Sequence, residues 1–218
     1  MGPIKVERTL ASAIRVFHAD RVRAAAPLRA EGARHLARRF DPIDVGAQAG
    51  ERPLWMARKG GCKFGDRRIA IEEMHGNENE LGVTVDGSTG DAIDVLREVW
   101  THLGAFDEAG ETALDEAPGI TTWSTTTVFS SPKPYGDVLP LAAMARQEII
   151  KKLAVPYLDD GEPFKLEIPF TLSISGVTTT QSFSIERRFT ARAEDRVYWS
   201  RSPLNSEDHL TLLETLFK

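Results

Sequence analysis

The residues best suited to metal chemistry are Glu72, Glu73, His75, Glu78 and Glu80, because carboxylates and an imidazole are suitable ligands for divalent cations. They span a predicted turn that also holds Gly76, Asn77 and Asn79, so a solvated hairpin tip is the simpler reading and no metal is expected. A second group, Lys59-Gly60-Gly61-Cys62-Lys63-Phe64-Gly65, has the glycines and lysines of a phosphate cradle. It lies between predicted strands rather than opening a helix, so it lacks the helix-terminus field that phosphate sites use. Cys62 is the single cysteine, which rules out an intramolecular disulfide. A nucleophilic role would need a base and an electropositive setting, and Cys62 reads instead as a small residue at a strand end. Five histidines are scattered over different predicted elements, none with a serine or cysteine at a diagnostic spacing. No P-loop, dinucleotide fingerprint, zinc-protease motif, nucleophile elbow or paired-cysteine zinc pattern occurs. No catalytic residue and no cofactor is assigned on this basis, and the reading leans away from an enzyme.

Arginines 21, 23, 29, 34, 38 and 39 form the strongest basic feature. At helical spacing they spread around a helix, and Arg34, Arg38 and Arg39 are the candidates for contact with an anionic partner. Against this, the net charge of the chain is −5, so neither half carries the basic excess of a protein whose main partner is nucleic acid. The opening residues lack the charged-then-apolar organisation of a signal peptide, and no apolar run reaches spanning length. A cytoplasmic location without membrane contact is the expectation. Arginine outnumbers lysine 19 to 8, a compositional hint of a GC-rich bacterium or its phage.

The elements that must position these residues occur twice. Residues 27–40, PLRAEGARHLARRF, align without a gap with residues 140–153, PLAAMARQEIIKKL, and both place basic residues in the last turn, where they favour a helix C-terminus. Residues 91–100, DAIDVLREVW, align with residues 208–217, DHLTLLETLF, and their apolar spacing of three and four makes both amphipathic helices. Ser88 stands three before Asp91 and Asn205 three before Asp208, each a predicted N-cap with an acid at the third helical position. Predicted strands fill the space between. In FKLEIPFTLSIS, residues 164–175, apolar side chains alternate strictly with polar ones, the pattern of a strand with one wet face. Val177–Thr190 and Val197–Arg201 follow it in the second copy. Leu54–Ala57, Arg67–Met74 and Leu81–Val85 are the strands of the first copy, with turns at Gly60-Gly61 and Gly65-Asp66. Leu10–Phe17 and Thr121–Ser130 precede the two leading helices, and Asp41–Pro53 reads as a loop.

The predicted architecture is α+β, a tandem duplication of a β-α-β-β-β-α unit. Residues 1–104 form the first repeat, 105–119 an acidic solvated linker and 120–218 the second, together one compact pseudo-two-fold unit. Such units can join into a curved antiparallel sheet with helices packed on one face. This arrangement resembles the saddle of TATA-box-binding-protein-like folds in topology; no sequence motif of that family is present, so no residue role carries over. Strand alternation puts Arg68, Ala70, Glu72, Gly82 and Thr84 of the first copy on the wet face. In the second copy it puts Lys165, Glu167, Thr171, Ser173, Ser182, Ser184, Glu186 and Arg188 there. That face is polar and mixed in charge, without the apolar wedges of a duplex-bending saddle or the exposed aromatics of a single-strand binder. Arg68, Glu72, Lys165, Thr171, Ser173, Ser184 and Arg188 are the candidate partner-binding residues. The leading expectation is a non-enzymatic module that binds another protein, as an adaptor, inhibitor or immunity-type partner. Nucleic-acid binding through the saddle or the arginine-bearing helix comes second, and an enzyme or small-ligand binder with a pocket between the repeats third.

Overall fold

Nine stretches, most of them alternating or β-branched in sequence, pair into one open antiparallel sheet in a computed structural model. The structure describes residues 4–18, 22–48, 54–106, 113–133, 165–174, 177–188 and 195–217. The strands are β1 (Lys5–Phe17), β2 (Asp44–Gln48), β3 (Leu54–Phe64), β4 (Arg67–Gly76), β5 (Glu80–Asp86), β6 (Gly119–Ser130), β7 (Lys165–Ile174), β8 (Val177–Arg187) and β9 (Val197–Ser202). Their order is β2-β3-β4-β5-β1-β6-β9-β8-β7. The described helices are α1 (Val22–Ala25), α2 (Ala30–Phe40), α3 (Thr89–His102) and α4 (Ser206–Leu216), with 3-10 turns at Ala26–Leu28 and Leu103–Phe106. The α+β class and the antiparallel sheet expected from the sequence are present. No described helix is long and apolar enough to cross a membrane. The helix expected over 140–153 lies outside the described residues.

The chain divides into two compact units, residues 10–124 and residues 1–9 with 125–218. In the first of these, α3 buries Ala92, Val95, Leu96, Val99 and Trp100, the side of the helix that its spacing of three and four predicts. Its N-terminus is closed by a capping box: the Ser88 hydroxyl accepts from the Asp91 N–H, and the Asp91 carboxylate accepts from the Ser88 N–H. Helix α2 buries Gly32, Leu36 and Phe40 at intervals of four. Gly32 is required by proximity, since a Cβ there would stand 2.2 Å from the Ala26 carbonyl oxygen. On the sheet, Ala11, Ala13, Ile69, Ile71, Met74, Leu81, Val83 and Val85 complete the core beneath these helices. Leu114 and Ala117, within the stretch read as a solvated linker, join it too, while Asp115 and Glu116 between them are exposed.

Three local expectations need correction. Residues 44–48, inside the stretch read as a loop, form β2, which pairs with β3 from Asp44 opposite Arg58 to Gln48 opposite Leu54. Its polar, glycine-containing sequence lacks strand propensity, and the ladder with β3 supplies what the local sequence does not. Gly60-Gly61 do not turn the chain; they lie within β3, opposite Ile71 and Ala70. A Cβ on Gly60 would stand 2.7 Å from the Phe40 carbonyl oxygen, and one on Gly61 would stand 2.8 Å from the Arg68 guanidinium. The glycines therefore permit close approach rather than reversal. Strict alternation also fails along β4, whose register against β5 shifts by one between Ile71 and Glu73. Glu72 is the extra residue of a β-bulge. Ile69 and Ile71 before it and Met74 after it all face the core, so the parity of the strand inverts at the bulge. Strand β3 changes phase at the facing position, where Lys59 adopts φ +57°, and an ion pair joins Lys59 to Glu72.

In the second unit, β7 and β8 pair in register from Lys165 opposite Glu186 to Ile174 opposite Val177. Phe183 and Ile185 face inward as alternation predicts, and with Phe129, Tyr198, Leu213 and Phe217 they form the core. The helix-side stripe of α4 runs His209, Leu213, Phe217. Asn205 caps the helix, its side-chain oxygen accepting from the Asp208 N–H at 2.9 Å.

Candidate functional site

In the unit of residues 10–124 the described helices cover one face of the sheet, and the opposite face bears the expected polar residues. Arg68 and Ala70 are exposed; Glu72 sits on the bulge, held by Lys59. Gly82 is buried, because the His75 ring lies across it closely enough that a Cβ would stand 2.4 Å from Nε2. Thr84 is partly buried, and its hydroxyl lies 2.8 Å from the Ser12 hydroxyl on the paired strand. The bulge brings His75 to this face, with Nδ1 3.6 Å from Glu73, which also lies 3.5 Å from Arg58.

The same face is less polar than expected at β1. Ala11, Ala13 and Phe17 take the helix side of that strand, which leaves Leu10, Ser12, Ile14 and Val16 on the open side. Val16 is 41% exposed. Ile14 pairs with Gly82, Gly82 with His75, and His75 with Met56, so a row with apolar ends and the His75 ring within it crosses the sheet beside the Arg58–Glu73 and Lys59–Glu72 pairs. The alternation of β1 carries this signal in the sequence: small alanines alternate with Leu10, Ile14 and Val16, the reverse of a strand with a wet outer face.

In the unit of residues 1–9 and 125–218, Lys165, Glu167 and Thr171 are exposed on β7, and Ser184 is partly buried on β8. The ladder sets Ser184 between Glu167 and Arg201, and Lys165 beside Glu186. Lys165 and Glu167 form an ion pair at 2.8 Å, which raises the lysine pKa and lowers that of the glutamate through their shared hydrogen bond. Arg188 reaches Glu7 at 3.2 Å. The Ser173 backbone pairs with Thr178, and its side chain lies outside the described residues.

The arginines separate into distinct roles. Arg23 is buried, with its guanidinium 4.5 Å above the Trp100 ring, so it belongs to the core and not to a basic surface. Arg39 donates Nε and Nη2 to Glu98 at 3.0 and 2.6 Å, and that hydrogen bond raises its pKa further. Arg34 and Arg38 make no ion pair with a described residue. With Glu31, His35 and Phe106 they line a shallow groove of about 230 Å³ between α2 and the turn Leu103–Phe106. His35 is fixed there by a reciprocal arrangement with His102. The rings stack at 4.1 Å, and each Nε2 lies near the other's backbone carbonyl oxygen, at 3.1 and 3.2 Å. Burial lowers the His102 pKa, against the opposing hydrogen bond with His35.

The remaining candidates are not assembled into chemistry. Among the described residues no group of three or more histidine, cysteine or acidic side chains could hold a metal ion. Cys62 is buried, and burial raises its pKa despite the nearby Arg39. Trp55 and Trp100 are core residues, whereas Trp123 is exposed.

One polar constellation was not foreseen. His209 is 0% exposed and lies between two serines of β9, with Nε2 2.8 Å from the Ser200 hydroxyl and Nδ1 2.7 Å from the Ser202 hydroxyl. The sequence signal is indirect: Ser200 and Ser202 share one face of a strand, and His209 falls one turn before Leu213 on the buried stripe of the next helix. Burial lowers the His209 pKa to about 4. The serines are equally buried, so in this arrangement neither hydroxyl is open to a substrate.

The chain matches no protein-family model and no curated protein.

Proposed function

We propose that the chain is a non-enzymatic protein-interaction module that binds a folded partner through the open face of its sheet. The observation that carries this reading is the set of apolar side chains Ile14, Val16 and Met56 on a face opposite the described helices, edged by Arg58–Glu73 and Lys59–Glu72. An apolar centre with a charged rim is the composition of protein interfaces. The expected contact residues on this face are Arg68 and Glu72. Those of the other unit are Lys165, Thr171, Ser173, Ser184 and Arg188. The test is capture from cell lysate, with and without nuclease, using the intact chain and a Val16→Asp/Met56→Asp variant. The reading expects a defined protein that survives nuclease and is lost with the variant. A partner retained by the variant, or released by nuclease, would overturn it.

The scaffold behind this surface is read as a tandem duplication, with the topology of a TATA-box-binding-protein-like saddle. The strand order supports it, since β3-β4-β5-β1 and β7-β8-β9-β6 have the same internal sequence of pairings. So do the matched caps, Ser88 with Asp91 and Asn205 with Asp208.

A second reading rests on α2. Arg34 and Arg38 stand one turn apart and make no ion pair with a described residue, a like-charge pairing that a bound anion would relieve. An anionic partner at this groove would be lost on Arg34→Gln/Arg38→Gln and kept on Arg39→Gln. Equal loss from all three positions would point to net charge rather than a site.

A further inference from the structure

The offset that aligns the two helix caps also aligns two buried layers. It carries Val83, Val85 and Ala92 onto Ser200, Ser202 and His209. The neighbouring strands agree. Ala13 and Ala11 pair with Val83 and Val85, whereas Thr127 and Thr125 pair with Ser200 and Ser202. Ala92 and the four positions around it are apolar and 0% exposed. His209 and the four around it are polar, and none is more than 2% exposed. A complete apolar layer in one unit is therefore a hydroxyl-and-imidazole layer in the other. Polar groups at such depth are costly unless they are satisfied, so their concentration at one place calls for a role.

The hydrogen bonds bracket the ring on both sides. Ser202 Oγ accepts from the Leu204 N–H at 3.3 Å and lies 2.7 Å from His209 Nδ1, toward which it can donate or accept. Nε2 lies 2.8 Å from the Ser200 hydroxyl, which also reaches the Thr127 carbonyl oxygen at 3.5 Å. A neutral imidazole fits these contacts in either tautomer. A doubly protonated ring must donate to both hydroxyls, and among the described residues it then meets only neutral acceptors, with Ser200 left to its long contact with Thr127. Among the described residues no charged group faces the ring. Strand β9 presents Ser200 and Ser202, β6 presents Thr125 and Thr127, and the neighbouring acids of α4, Glu207 and Asp208, are exposed. The Thr125 hydroxyl donates to the Leu204 carbonyl oxygen, and the Thr127 hydroxyl has no hydrogen-bond partner among the described residues.

We propose that His209 is an acid-sensitive latch that holds α4 against β9 only while its imidazole is neutral. Protonation places an uncompensated charge in a dry layer, and the favourable response is for α4 to lift and hydrate the ring. Leu213 and Phe217 leave the core with it, which exposes Phe129 and Tyr198. The other unit, with Ala92 at the matching position, has no such trigger.

The direction in pH follows from linkage. A histidine titrating near 6.5 when α4 is open and near 4 when it is closed leaves the closed form fully favoured above pH 6.5. The preference declines as pH falls from 6.5 to 4 and is lost, without further change, below that. From pH 6.5 to pH 4 the opening equilibrium of α4 should rise roughly 80-fold. Hydrogen exchange of the α4 backbone amides in the full chain, corrected for intrinsic rates, reads it directly. His209→Gln can hydrogen-bond but not titrate, and should abolish the rise. Ser200→Val/Ser202→Val/His209→Ala copies the apolar layer and should do the same. If α4 opening in the wild type does not increase between pH 6.5 and 4.5, or if the increase persists in His209→Gln, the latch is wrong.

Discussion

Single residues in this protein are constrained by what stands within one atom's reach of them. Gly32 and Gly82 illustrate two degrees of that constraint. A methyl on Gly32 meets a backbone carbonyl oxygen at 2.2 Å, and backbone at a helix junction cannot yield without moving α2. A methyl on Gly82 meets the tip of the His75 side chain, which can swing aside. Gly32→Ala should therefore destabilise by ~3 kcal/mol, and Gly82→Ala by about 1 kcal/mol or less. Urea unfolding of both variants would check the order; equal losses would mean that the His75 ring is as fixed as backbone. The buried His209 belongs to the same class. Its surroundings are visible only in three dimensions, because the serines that bracket it come from another element.

Elements were legible to the extent that their signals were local. Helices α3 and α4 show their caps and their apolar stripe in the sequence, and both occur where expected. Each cap should be worth ~1 kcal/mol, so Ser88→Ala and Asn205→Ala should lower the unfolding free energy by that amount. The loss at Ser88 should also depend on pH. Burial works against ionisation of Asp91, but hydrogen bonds from the Ser88 N–H and hydroxyl, with Arg67 beside it, outweigh burial and lower its pKa. The stabilisation from this carboxylate is complete above its unfolded pKa and disappears as pH falls through the folded value. Ser88→Ala should flatten that acid limb of a stability profile. Strands were read less well, because their details depend on partners. β2 is a strand only because β3 lies beside it. The close approaches at Gly60 and Gly61 come from Phe40 and Arg68, and the bulge at Glu72 leaves no local mark on a run of charged residues. The apolar outer row of β1 was present in the alternation of that strand, but it becomes a surface only when Gly82, His75 and Met56 are set beside it.

At the scale of the molecule, charge sets the strongest expectation. Several basic side chains of the described surface are engaged by acids, among them Arg67 with Asp91, Arg97 with Asp115 and Arg188 with Glu7. Such exposed pairs add little stability, about 0–1 kcal/mol each. Each also occupies a cation that could otherwise displace the counterions of a polyanion, whose release drives nucleic-acid binding. With a net charge of −5, the chain should give no mobility shift with duplex or single-stranded DNA at ~50 mM salt. A clear shift that weakens with added salt would instead favour the α2 groove as a nucleic-acid contact. The open face of the sheet makes no such electrostatic demand, and its apolar row predicts a partner association that changes little with ionic strength.

The paired irregularity at Lys59 and Glu72 has a consequence for how the protein tolerates insertion and deletion. It works as a phase corrector. Each strand begins on one beat of the two-residue rhythm and ends on the other, and the two strands change beat together. A chain lacking Glu72 could keep Ile69 and Ile71 in the core, or Met74 and Gly76, but never both sets. One missing residue in the middle of a long strand would turn half of that strand inside out, whereas the same deletion at Asp66, in the turn, would cost only a new hairpin.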